Sequence, residues 1–162
     1  MPDSDPVAWI SGEDKRMGEA ILKAQLQFDD FLSALQNNQE IESSLLKYMY
    51  RGTKEGVECE HLFVSDLFFD DGRLCGHIDS DPQYTDEVKS GDRVEIEYHR
   101  VSDWLYVING TGTGGFTFRV MWDNFSEEER SLYQDYPPFC WILKEKKSRG
   151  WLPRLWGKRD ST

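Results

Sequence analysis

Residues 102–121 read SDWLYVINGTGTGGFTFRVM, and this stretch decides the fold. Trp104 to Ile108 has the aromatic and aliphatic composition of a strand, and Asn109-Gly110 is a strong hairpin signal. Gly115 to Met121 supplies the expected return strand, while four glycines between 110 and 115 make the bend longer than a two-residue turn. Trp104 and Tyr106 stand two residues apart and so share one face, as core anchors. Ser102 and Asp103 precede the strand, where short polar side chains fix turns by bonding the nearby backbone.

Outward from this hairpin the period-two pattern continues. Arg93 to Tyr98 alternates, with Val94, Ile96 and Tyr98 on one face, after a turn at Ser90-Gly91-Asp92. His61 to Phe68 and Arg73 to Asp79 form a hairpin around Asp70-Asp71-Gly72, and Leu46, Tyr48 and Tyr50 mark a half-buried strand before a turn at Gly52 to Gly56. Upstream the period changes. Met17, Ile21, Ala24, Phe28, Phe31, Leu32 and Leu35 fall at steps of three and four, which predicts one helix from Glu13 to about Leu35. Ser11 and Asp14 resemble its capping box, and Asn37-Asn38 a left-handed stop. Downstream, Ser126 and Glu129 form a second capping box for a short helix ending before Pro137-Pro138. The expected class is α+β: a long N-terminal helix packed on a bent antiparallel sheet or small open barrel, with a short helix after the last strand. The expected organisation is a flexible leader (1–12), a single α+β domain (13–143) and a basic, Trp-containing C-terminal tail (144–162).

The stretch from Tyr48 to about Met121 resembles the YegJ-like bacterial family, the domain of unknown function numbered 2314. The resemblance rests on Glu60-His61, Ser65-Asp66, Gly72, Gly76-His77-Ile78, Pro82, Gly91-Asp92, Ser102 to Tyr106, and Gly114-Gly115-Phe116-Thr117-Phe118-Arg119. Phe63 stands where the family favours Trp, and Ser80 where it favours Asn. The resemblance implies a shared fold and brings no agreed activity with it.

Charge and composition narrow the function. The 162 residues carry a formal net charge of −11, but residues 144–162 are at +5 and the remainder at −16. An acidic body repels phosphate backbones, so double-stranded nucleic acid is not the expected partner; a protein with a basic surface is. Three widely spaced cysteines, Cys59, Cys75 and Cys140, suit free thiols in a reducing cytoplasm, and the first fifteen residues do not read as a signal peptide. The tail interleaves Trp151, Arg154 and Trp156 with lysines, a composition that suits docking on the acidic body or on a second subunit, or contact with an anionic membrane; single-stranded nucleic acid is a weaker choice.

No complete catalytic motif emerges. Ser102 lacks a nucleophile elbow, and the Gly110–Gly115 run lacks the Lys-Ser/Thr ending and following helix of a phosphate loop. Cys59-Glu60-His61 and Cys75-Gly76-His77 offer four zinc-type ligands (Cys59, His61, Cys75, His77). A register placing Val64 opposite His77 would set the pairs about 10 Å apart, too far for one ion. No cofactor is expected. The leading reading is a non-catalytic protein-binding module, with an inhibitor or immunity-type protein as its concrete form. Its candidate surface is Glu60, His61, Asp66, Asp103, Trp104, Tyr106, Gly114, Gly115 and Arg119. The alternatives are a small metal-dependent or acid-base hydrolase centred on His61 and His77, and a membrane-surface accessory protein using the tail.

Overall fold

The computed structural model describes residues 15–143 except 39 and 55. Two helices lead, α1 (Lys15–Leu26) and α2 (Phe28–Asn37), followed by strands β1 (Ser43–Arg51), β2 (Cys59–Asp70), β3 (Arg73–Ile78), β4 (Arg93–Glu95), β5 (Val101–Ile108) and β6 (Thr111–Gly114). Helices α3 (Phe116–Asn124) and α4 (Glu127–Tyr133) close the order. All six strands join one antiparallel, open sheet in the order β4-β3-β2-β1-β5-β6. The α+β class holds, as an open sheet rather than a barrel. Among the described residues no helix is long and apolar enough to cross a membrane.

The strands' two faces carry different layers. Leu46, Tyr48, Leu62, Val64 and Trp104 pack with Phe28 and Phe31 of the helices. Trp104 is the hub of this core: its indole N–H donates to the Ala24 carbonyl (2.8 Å), and its ring stacks on Phe31 at 5.1 Å. On the other face, Leu105 and Val107 meet Phe118 of α3, with Phe139 and Ile142 beyond α4. Helix α1 reaches both layers, because Ala24 joins the Trp104 core while Ile21 packs on Met49.

Four sequence expectations change. The single leading helix breaks at Gln27 (φ −104°, ψ 14°), where Leu26 is exposed and Phe28 turns into the core. Its stop lies at Asn37 as expected, but Asn38 is extended rather than left-handed. The Arg93 to Tyr98 strand is cut to Arg93–Glu95, and Tyr98 stands out in solvent in a short 3-10 turn. The largest change is at the deciding stretch. Asn109 and Gly110, both at positive φ, make a two-residue bend, so Ile108 pairs directly with Thr111 and the glycine-rich run is itself β6. Gly115 to Met121 is then not a strand but the start of α3. The capping box at Ser126 and Glu129 forms as expected. The one proposed at Ser11 and Asp14, the leader and the basic tail with Trp151, Arg154 and Trp156 lie outside the described residues.

Glycine is required where β6 turns into α3. Gly114 has φ +95°, and a Cβ there would sit 2.2 Å from the Trp104 carbonyl oxygen. Strain and collision add, so Gly114→Ala is expected to lower unfolding free energy by at least about 2 kcal/mol in urea titrations.

Candidate functional site

Three of the segments that carry the resemblance, Glu60-His61, Ser102 to Tyr106 and Gly114 to Arg119, contribute to a polar network on the α3 side of the sheet. Its centre is Asp103, which is 1% exposed. Oδ1 accepts the backbone N–H of Trp104 (2.8 Å) and of Phe116 (2.9 Å). Oδ2 accepts the N–H (2.8 Å) and the hydroxyl of Thr117. A carboxylate from β5 therefore caps the N-terminus of α3, where free N–H groups and the helix dipole favour negative charge. Across the β1–β5 pair stands Lys47, whose ammonium lies 4.7 Å over the Phe118 ring. Burial pushes the Asp103 carboxyl above its usual range, while Lys47 and the bonds from Thr117 and Trp104 pull it back. Burial lowers Lys47 in turn, and Asp103 opposes that shift.

A register shift explains how Ser102 joins the network. Lys47 pairs with Asp103 but Tyr48 pairs with Val101, which leaves Ser102 as an extra residue in a bulge. The bulge brings neighbours that would otherwise point to opposite faces onto the same side. Ser102, fully buried, then lies 3.0 Å from His61 Nδ1, and Cys59 Sγ lies 3.8 Å from His61 Nε2. His61 as a residue stays exposed, with Nδ1 turned inward to the buried Ser102 hydroxyl. That burial, helped by Lys47, lowers its pKa from 6.5 to about 4, and burial pushes the Cys59 thiol up to about 12. The exposure of His61 keeps the stability consequence of the histidine shift small.

Glu60 has a separate task. Its Oε2 accepts the N–H of Gln83 (2.8 Å), and Oε1 those of Tyr84 (2.8 Å) and Thr85 (3.0 Å). It thereby fastens the connector between β3 and β4 to the sheet. Asp66, exposed at φ +53°, forms the bulge that shifts β2 against β3, and Leu67 beside it packs over Gly76. Arg119 Nε donates to the Gly114 carbonyl (3.0 Å) and borders a groove of about 310 Å³ between α1 and α3, with Arg16 and Lys23 opposite.

Several expectations are corrected by this placement. Asp103, Trp104, Gly114 and Gly115 are buried and offer no contact surface; Tyr106 is partly covered, stacked on Trp104 at 6.2 Å. Glu60, His61, Asp66 and Arg119 retain access to solvent. Ser65, not Val64, pairs with His77, and His61 pairs with Met49 four residues further along β2. The two Cys-x-His pairs are thus separated by about 13 Å of strand. Among the described residues no three His, Cys, Asp or Glu side chains gather as a metal group, and Cys59, Cys75 and Cys140 are free thiols. Sequence reasoning missed Lys47 and Thr117, whose pairing with Asp103 depends on register and on α3.

An antiparallel sheet with helices over both faces, in which a buried strand carboxylate caps a helix, defines the scaffold. By sequence the chain belongs to the family described as uncharacterized protein conserved in bacteria, DUF2314, which matches residues 14–137. It is 28% identical over 119 residues to the uncharacterized protein YegJ of Escherichia coli K12, covering 73% of this chain and 75% of that one. It is 33% identical over 82 residues to a putative ankyrin repeat protein of Neisseria meningitidis serogroup B, covering 51% of this chain. The match spans about a third of that relative, 32% of its length. No solved structure matches the chain.

Two outcomes test the network. Asp103→Ala leaves α3 uncapped and Lys47 without its counter-charge, and should cost about 3 kcal/mol or more in denaturant titrations. Between pH 6.5 and about 4 the unfolded His61 binds a proton that the folded one refuses. Stability contributed by this group therefore falls as pH falls through that window. An NMR titration should give His61 a midpoint near 4, and His61→Gln should flatten that part of the stability profile.

Proposed function

We propose that this chain is a non-catalytic protein-binding module that engages a basic partner, as an inhibitor or immunity-type protein does. The observation that carries the reading is the surface of the β3–β4 connector and β4. Asp79, Asp81, Asp86, Glu87, Asp92, Glu95 and Glu97 are all exposed there, with Tyr84 and Tyr98 among them, 38% and 61% exposed. Acidic side chains around open tyrosines favour both fast encounter with a cationic protein and a firm contact once docked. The side chains with catalytic potential are otherwise engaged: Asp103 caps a helix, Glu60 holds a loop, and Ser102 has no exposed surface. His61 and His77, the centre of the hydrolase alternative, do not converge. A relative named as an ankyrin repeat protein fits a setting of protein recognition, because such repeats build extended binding surfaces.

Native mass spectrometry of the protein purified gently from its host is the test. A stoichiometric basic polypeptide, released by salt, is expected. Asp79→Asn with Asp81→Asn should slow its association several-fold at low ionic strength and little at about 1 M salt, where screening acts within roughly 3 Å. Recovery of the protein alone, or turnover that disappears with His61→Gln in a folded chain, would overturn the reading.

A further inference from the structure

Among the described residues one face of the sheet is left half uncovered. Helix α3 and the segment around Phe139 lie over β5, α3 reaches β2 through the Phe118 ring, and among those residues no helix packs extensively on β3 or β4. The strip across β2, β3 and β4 carries aromatic rings flanked by charged side chains. Phe63, 36% exposed, stacks on Phe118 at 6.3 Å; Phe68 stacks on His77 at 5.8 Å, with the Arg93 guanidinium 4.9 Å over the Phe68 ring. Asp70, ion-paired to Arg93, and Asp66 flank it on β2. His77 Nδ1, on the same strip, is enclosed without a hydrogen-bond partner.

We propose that the C-terminal segment, residues 144–162, docks on this strip, with Trp151 and Trp156 against Phe63, Phe68 and His77. Three observations select this occupant. The described chain ends on this same face over β5 and β6, because Ile142 and Phe139 share a cluster with Leu105, Val107 and Phe118, and Trp141 lies against Gly112. The reach is ample: Trp151 lies eight residues beyond Leu143, about 26 Å when extended, against about 14 Å for the three strand spacings from β5 to β3. Charge is complementary, since the segment is at +5 and the rest of the chain at −16. A second copy of the chain would meet the same strip with the same acidic flank, and two bodies of net −11 repel. Apolar burial of two indoles supplies the attraction, and the lysines and arginines around them set the approach.

The test uses the full chain with p-benzoyl-phenylalanine in place of Trp156 and mapping of the photo-adducts by peptide mass spectrometry. Intramolecular adducts on residues 59–78 are expected, with a yield unchanged by dilution. Phe68→Ser should remove most of that yield, whereas Leu22→Ser, on the exposed side of α1, should leave it intact. Adducts confined to the helices, adducts only between two chains, adduct formation only with added anionic vesicles, or no adduct at all would each overturn the proposal.

Discussion

Everything on the α3 side of the sheet depends on a single carboxylate. Asp103 stands in the middle of β5, yet its oxygens close the first turn of α3 through the Phe116 and Thr117 N–H groups. Helix ends normally find a cap in the residue just before them. Here that position is Gly115, left-handed at φ 71° and without a side chain to offer. The cap must come from elsewhere, and the sheet supplies it. Gly114 and Gly115 let α3 begin close enough to β5 for the bonds to form, because a Cβ at either would press on Trp104 or Leu105. The glycines and the aspartate are thus two halves of one device.

This dependence explains what could be read in the sequence. β1, β2 and β3 were legible because Leu46, Tyr48 and Tyr50, and their partners Leu62 and Val64, alternate in a way that burial on one face enforces. The α4 capping box was legible because both of its partners lie within four residues. The start of α3 was not, since its cap lies thirteen residues upstream and Phe116 to Met121 has the aromatic and β-branched content of a strand. β6 was hidden for the converse reason. Its glycines suggest a loose loop, but Gly112 and Gly114 are small because Trp141 and Trp104 occupy the space a side chain would need.

The candidate site was legible in its members and not in their roles. Glu60, His61, Ser102 and Asp103 all drew attention as polar residues in a strand-rich region. Strand-face reasoning separates Ser102 from Asp103, and only the extra residue in the β1–β5 register brings them together. A bulge of this kind leaves no mark in a period-two pattern, because both neighbours remain compatible with a strand. Lys47 reads as the solvent-side partner of Leu46 and Tyr48. It is instead the cross-strand neighbour of a buried carboxylate.

Glu60 has a consequence beyond anchoring. By holding three successive N–H groups from Gln83 to Thr85, while the Thr53 hydroxyl accepts the Asp86 N–H (2.9 Å), it fixes the backbone that displays the acidic and tyrosine side chains. A loop left free would have to surrender its conformational entropy on meeting a partner, at about 1–2 kcal/mol for each residue whose backbone becomes fixed. In this chain the backbone part of that cost is met during folding. For the proposed partner the surface is preorganised, and binding strength that a loose loop would spend on its own ordering would be left for discriminating between partners.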